Sequence, residues 1–425
     1  MCKNHISLCC TAAFALSVAA FAFASCSDCK ELDAGLVEGE YTNQGIPDIT
    51  AIYDVQDTAH ANPLVSGVLN QYIHLVGHNL ANPVNINING LDVDIQSRVF
   101  AKSSEAYIRI PRAIPENETG MLRYETAEGV FTQPFDVSIP SLELQGFVNE
   151  FTLPGTRAQL SGDYFDLYGF GDTLDTSPVS IVARCVATGY EKVLKCDSCT
   201  ETFTSIIIPA DCPENTLFTF SWNGVGGGRV EQTISYRATD ALLFGNFDGD
   251  LGWWNDDGKA MVTDGTRSGD PASLGYNFLR FTKTGGNALG AWDWWSTGFG
   301  CSWPFDITFD TLDDYVFKFE TCTDASYPFY SYGDNGKNGA RNGGYCFTLG
   351  GPATRNQWDP VSDGLTNTNG KWITVRLPLR DMFQDIEEMP AVDAWVSLEM
   401  VCQPNNSDGW EVDHCFGQFR VEKIW

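Results

Sequence analysis

Short apolar runs alternating with polar residues recur along the chain, separated by Gly, Pro, Asn and Asp. Asn85-Ile86-Asn87-Ile88-Asn89-Gly90 and Tyr107-Ile108-Arg109-Ile110-Pro111 are examples. Thr204-Ser205-Ile206-Ile207-Ile208 and Tyr315-Val316-Phe317-Lys318-Phe319-Glu320 are others. A period of two sends successive side chains to opposite faces of a strand, and turn formers at both ends bound it. Ile181 to Val186, a turn near Gly189 and Val193-Leu194 read as a hairpin. No long amphipathic helix follows the first 25 residues. The pattern predicts an all-β chain, and about 400 residues is too many for one sandwich of about 100. Three sandwiches are expected.

A weak internal repeat supports that count. Ile46-Pro47-Asp48-Ile49 is followed by Tyr72-Ile73-His74-Leu75-Val76-Gly77-His78-Asn79-Leu80. Ile139-Pro140-Ser141-Leu142 is followed by Arg157-Ala158-Gln159-Leu160-Ser161-Gly162-Asp163-Tyr164-Phe165. Each half is a Pro-led strand and then a strand running into Gly, where a sharp backbone turn is expected. These segments resemble immunoglobulin-like IPT/TIG domains, which implies two spacer sandwiches, over 46–139 and 140–239. His74 and His78 lie four apart on a strand with no Glu after His74, so the helical zinc-protease motif is absent. They read as ordinary strand residues.

The first residues change the setting. Lys3 is the one charge before Asp28, and Ile6 to Ser25 is apolar or small. A positive start, an apolar stretch and small residues before a cut fit a signal peptide over 1–25. Phe23-Ala24-Ser25-Cys26 resembles a bacterial lipobox, with Phe23 in place of the usual Leu, which makes Cys26 the lipidated residue. Ser27-Asp28-Cys29-Lys30-Glu31-Leu32-Asp33 resembles the acidic export signal of Bacteroidetes surface lipoproteins. Residues 26–45 then form a lipidated tether. A lipid-anchored chain at the outer membrane, facing the cell surface, is expected. The formal charge is −29. Such a chain is repelled by nucleic acid and anionic lipid, and it suits a neutral ligand.

Eleven of the twelve tryptophans follow residue 240, several beside glycines and acids: Trp253-Trp254, Ala291-Trp292-Asp293-Trp294-Trp295, Trp303 and Trp358. Adjacent rings on a strand point to opposite faces, so one of each pair tends outward. An aromatic plane matches the C–H face of a sugar ring, and neighbouring carboxylates and amides match its hydroxyls. The opposing reading is that tryptophans fill a core, and Trp is highly buried on average. Trp372 and Trp395, on alternating strands, are assigned to the core on that ground.

Leu243-Phe244-Gly245-Asn246-Phe247-Asp248-Gly249-Asp250 opens this region, and Trp410-Glu411-Val412-Asp413-His414-Cys415-Phe416-Gly417-Gln418-Phe419-Arg420-Val421 closes it. Between them lie Tyr315 to Glu320 and Gly370-Lys371-Trp372-Ile373-Thr374-Val375-Arg376-Leu377-Pro378-Leu379. With the lipobox and the repeated spacers, these segments resemble the surface glycan-binding proteins of Bacteroidetes polysaccharide-utilisation systems that carry a xyloglucan-binding-type C-terminal domain. The resemblance implies a glycan-binding β-sandwich or jelly roll over 240–425. It also implies stacking aromatics after the Tyr315 strand, among Tyr327, Phe329 and Tyr330. A second platform is implied at Trp358, with Asn356, Gln357 and Asp359 as polar partners. Trp358 is the foremost candidate, because Gly, Pro, Thr, Arg and Asn surround it. Trp294 and Trp295 are candidates for the groove wall.

No cofactor is expected beyond a structural calcium ion, for which Asp248, Asp250 and Asp413 are the candidate ligands. Cys185, Cys196, Cys199 and Cys212 carry the spacing of a zinc site, but disulfides or buried thiols suit an exported chain better. The function expected is non-catalytic surface capture of a neutral polysaccharide, a β-glucan or a hemicellulose such as xyloglucan. An outer-membrane glycan transporter is the expected partner complex. The competing readings are a glycoside hydrolase, which needs two carboxylates across a cleft, and a surface adhesin. Replacing Cys26 with Ala should free the protein from membranes; absence of labelled fatty acid on the wild-type chain would exclude the anchor.

Overall fold

The computed structural model describes residues 39–424 except 173–176, 249–253, 256–259, 286–294, 330–344, 350–354, 359, 362, 384–387 and 403–409. The signal peptide and most of the tether, Cys26 included, therefore lie outside the described residues. The chain forms two compact units, the first reaching Pro140 and the second taking in Ser141–Gly224 and Gly228–Trp425.

The first unit is a sandwich of antiparallel sheets. One sheet orders Asp48–Asp54, Tyr72–His78, Glu105–Arg109 and Val99–Ala101; the other orders Leu91–Asp92, Asn85–Ile88, Met121–Thr126 and Gly129–Pro134. The alternation is realised directly. Ile86 and Ile88 are fully buried, alternating with the half-buried Asn85 and Asn87. His74 is buried, 3.1 Å from both His60 and Glu105.

The second unit begins with another sandwich. Its sheets order Glu143–Phe147, Arg157–Asp163, Phe203–Ile207 and Cys196–Cys199, against Tyr190–Leu194, Ser180–Cys185, Thr216–Asn223 and Arg229–Tyr236. The hairpin around Gly189 is the pair Ser180–Cys185 and Tyr190–Leu194. The repeated glycines have a different purpose from a turn. A Cβ on Gly77 would lie 2.0 Å from the Asp48 carbonyl oxygen, and one on Gly162 would lie 1.9 Å from that of Glu143. In both sandwiches the first strand carries a bulge, between Ile49 and Ala51 or between Leu144 and Gly146. That bulge presses the Pro-led strand onto its neighbour, and only Gly accommodates the approach.

The tryptophan-rich region folds into two five-stranded sheets. One, here the Trp395 sheet, orders Trp254–Asn255, Trp295–Ser302, Trp395–Cys402, Tyr345–Leu349 and Arg355–Trp358. The other, the Arg420 sheet, orders Ala260–Thr263, Phe278–Gly285, Trp410–Lys423, Tyr315–Thr323 and Ile373–Pro378. Between them lies a core that includes Phe317, Phe319, Phe416, Phe419, Trp303, Val396 and Leu398.

The opposite face of the Arg420 sheet is charged by the same alternation, yet it is buried. Lys318, Glu320, Arg420 and Glu422 are each less than 10% exposed. Glu150, from the sandwich before, closes the network. Its carboxylate accepts from Lys318 at 3.0 Å, Arg376 at 2.8 Å and Arg420 at 2.6 Å. Arg420 also donates to Glu320 at 2.7 Å and to Glu422 at 2.6 Å, while Lys318 reaches Glu422 at 3.1 Å. Three carboxylates meet three cations. The Glu150 amide donates to Thr374 Oγ1, and the Thr374 amide donates to the Val148 carbonyl. Phe151 then enters an apolar cluster with Leu274, Phe278 and Trp372. Trp372 is core, as expected, with its Nε1 donating to the Ala272 carbonyl at 2.7 Å.

Neighbouring cations hold the Glu150 carboxyl far below its usual range, although burial alone would push it up. At Glu320 burial wins over Arg420, and its carboxyl is raised. Arg420→Ala leaves both acids buried without their shared cation. Breaking a buried pair costs about 3–5 kcal/mol. Arg380→Ala breaks an exposed pair with Asp313 and an exposed hydrogen bond to the Phe309 carbonyl and should cost about 1 kcal/mol. Urea unfolding of the two variants checks this contrast; equal midpoints would refute it.

Candidate functional site

The strand Tyr315–Thr323 runs into a loop over residues 324–329. The Asp324 carboxylate accepts from the Ser326 amide at 2.9 Å, and the Tyr327 amide donates to the Asp324 carbonyl at 3.0 Å. Thr368 ties the loop base: its hydroxyl accepts from the Thr323 amide and donates to the Thr323 carbonyl, each at 2.9 Å. From beneath, His414 Nε2 lies 3.0 Å from the Tyr327 carbonyl and 3.2 Å from that of Pro328. Both partners are acceptors, so Nε2 carries the proton. Burial brings the His414 pKa down to about 4. Phe329 is buried, its ring 5.2 Å from Trp358 and 5.5 Å from His414. Tyr327 is half-exposed and Pro328 exposed above this support.

The structure corrects two of the sequence expectations for this region. Trp358 is 4% exposed. Its ring meets Phe319 at 5.3 Å, Phe329 at 5.2 Å and Phe416 at 6.5 Å, in edge contacts. It ends the strand Arg355–Trp358 opposite Tyr345, and parity turns it into the sandwich. Polar neighbours in sequence reported the strand's ends and not the ring's direction. Phe329 is enclosed with it, so neither presents a face to ligand. Of the predicted aromatics whose side chains are described, Tyr327 is left. Tyr330, Trp294 and Asp359 lie outside the described residues. Trp295, Asn356 and Gln357 hold strand positions opposite Cys402, Phe347 and Cys346.

The second correction is Trp395. Assigned to the core, it is 66% exposed at the start of its strand, while Val396 and Leu398 beside it are buried. The alternating glycines Gly298 and Gly300 on the neighbouring strand were the missed signal.

The predicted metal ligands are otherwise engaged. Asp413 accepts from Arg280 at 2.8 and 2.7 Å, and Asp248 accepts from Asn277 at 2.8 Å. Asp250 lies outside the described residues. Among the described residues no group of three His, Cys, Asp or Glu side chains could hold a metal. Cys185, Cys196, Cys199 and Cys212 are free thiols. Burial pushes Cys199 up to about 11, so it stays protonated at neutral pH.

Residues 236–423 match the family model described as the surface glycan-binding protein B xyloglucan binding domain. Among solved structures, the chain is similar to surface glycan-binding protein PbSGBP-B from Prevotella bryantii. The identity is 18% over 90% of this chain and 100% of that one, with a TM-score of 0.50. It is also similar to SGBP-B from a complex xyloglucan utilization locus in Bacteroides uniformis, at 17% identity over 89% and 99% of the two chains, with a TM-score of 0.43. At this identity the first match speaks for the fold. Comparison with curated proteins finds no match.

Two substitutions separate support from contact. Trp358→Ala should cost about 3–5 kcal/mol, read as a lowered melting temperature, whereas Tyr327→Ala should leave the melt unchanged. His414 adds a pH dependence. Its folded pKa is depressed, so its contribution is present above the unfolded value of about 6.5 and is lost as pH falls toward about 4. His414→Gln should flatten that part of the stability profile; an unchanged profile would exclude His414 as its source.

Proposed function

We propose that this chain is a surface glycan-binding protein that captures a neutral β-glucan or xyloglucan-type polysaccharide without cleaving it, a reading supported by the match of residues 236–423 to the xyloglucan binding domain model. The family match over the tryptophan-rich sandwich carries this reading. The half-exposed ring of Tyr327, on a loop braced by His414 and Thr368, supports it. An aromatic held at the surface by a rigid base is preorganised for stacking, because little ordering remains to be done on binding. The net charge of −29 favours an uncharged ligand.

The acids also favour binding over hydrolysis. A glycosidase acid is a carboxyl of raised pKa facing a cleft. Among the described residues the carboxyl that is raised, Glu320, is fully buried and ion-paired with Arg420. We further propose that Cys26 carries lipid and that the protein works at the outer membrane near an outer-membrane transporter. One site should bind weakly, in the micromolar to millimolar range, with multivalency on a polymer compensating.

Affinity gels of the mature chain against neutral plant polysaccharides, with a parallel assay for new reducing ends, test the function. Retardation by a β-glucan or xyloglucan without new ends is expected. No retardation by any neutral glycan, or steady release of reducing ends, would overturn it.

A further inference from the structure

Trp395 is not placed as a core residue would be. Its ring lies flat on the backbone of the adjacent strand: a Cβ on Gly300 would fall 2.1 Å from Trp395 Cζ2 and 2.4 Å from Cε2. Glycine within a strand marks a place where something approaches the backbone closely, and here it is an indole. One face of that ring is set against the sheet. With 66% of the residue exposed, the other is open to solvent.

The register defines what else shares this side of the sheet. Trp395 pairs with Ser302, Ser397 with Gly300, and Glu399 with Gly298. Glu399 is flanked on its other side by Thr348. Beyond Gly298, the edge strand brings Trp254 into register. Directly paired residues share a face, and so do every second residue along a strand. The register positions on this side are held by two glycines, small hydroxyl residues and one glutamate, with a tryptophan position at each end. Trp254 and Trp395 are separated by two strand spacings and four residues, roughly 16 Å between backbone positions on ideal sheet geometry. That length suits several sugar rings in a line. An exposed indole beside such polar register positions matches a polyhydroxylated chain with apolar ring faces.

We propose that the outer face of the Trp395 sheet is a second glycan subsite, in which Trp395, seated on Gly300, stacks on one sugar of a neutral β-linked chain. It is distinct in position from the Tyr327 loop, and it rests on the glycan-binding reading above. Two contact surfaces on one domain would let a single polymer engage twice, raising the affinity for long chains above that for short ones.

The opposing possibility is that the indole only shields the glycine-rich backbone, as aromatic residues do beside strand glycines. The two differ in what a mutation changes. Calorimetric titration of the full mature chain with mixed-linkage β-glucan and with xyloglucan, beside thermal melting, distinguishes them. Trp395→Ala should weaken binding by at least about tenfold, or about 1.4 kcal/mol, with the melt unchanged, and Trp395→Phe should recover most of it. Gly300→Val, which keeps the indole but displaces it, should weaken binding in the same way. A lowered melt in Trp395→Ala with unchanged affinity of the folded fraction would make the ring a structural shield and overturn the subsite. Full affinity and a native melt in that variant would overturn it too, while leaving glycan binding intact. A wild-type chain that binds neither glucan would remove the parent reading and the subsite together.

Discussion

Six ionised side chains sit where the second sandwich meets the third, and the arrangement of the second unit depends on them. Burying one isolated carboxylate costs several kcal/mol. Three carboxylates with three cations, joined by Thr374 and the backbone of residues 148–150, satisfy one another. Such a network is a poor source of net stability, because apolar residues of similar volume would do as well or better. It specifies geometry instead. Arg420 donates to Glu150, Glu320 and Glu422 at once, and a shift of the sandwiches by one residue would leave several of these charges buried without partners.

The network also explains how one strand serves two layers. In Tyr315–Thr323, Phe317 and Phe319 enter the core between the sheets, while Lys318 and Glu320 face the preceding sandwich. The strand then runs directly into the Tyr327 loop. The loop's supports, Phe329 and His414, pack into the same core, so the half-exposed Tyr327 ring rests on buried side chains.

Much of this fold was legible from alternation. The strands at Asn85–Ile88, Phe203–Ile207 and Tyr315–Thr323 lie where period-two runs place them, and the Pro-led repeat marks equivalent bulged strands in two sandwiches. Burial was less legible, for a definite reason. Lys318-Phe319-Glu320 reads as a strand with one wet face, and nothing local says that another domain covers that face. Trp358 is buried and Trp395 exposed, the reverse of the burial expected of each, on the same account. Local composition reports where a backbone runs, whereas a ring's direction follows from strand parity and from what lies across the ladder. For Trp395 that neighbour is Gly300, 95 residues earlier in sequence.

Modularity follows a different line from the one that composition draws. The change to tryptophan-rich sequence near residue 240 invites a cut there, and the matched family segment begins at 236. Such a cut would separate Arg420, Lys318 and Arg376 from Glu150, and would remove Phe151 from its cluster with Trp372 and Phe278. The natural break falls after Pro140. What can be recombined between proteins of this architecture, by evolution or by design, is then a two-sandwich cassette: a binding domain that travels with its own pedestal.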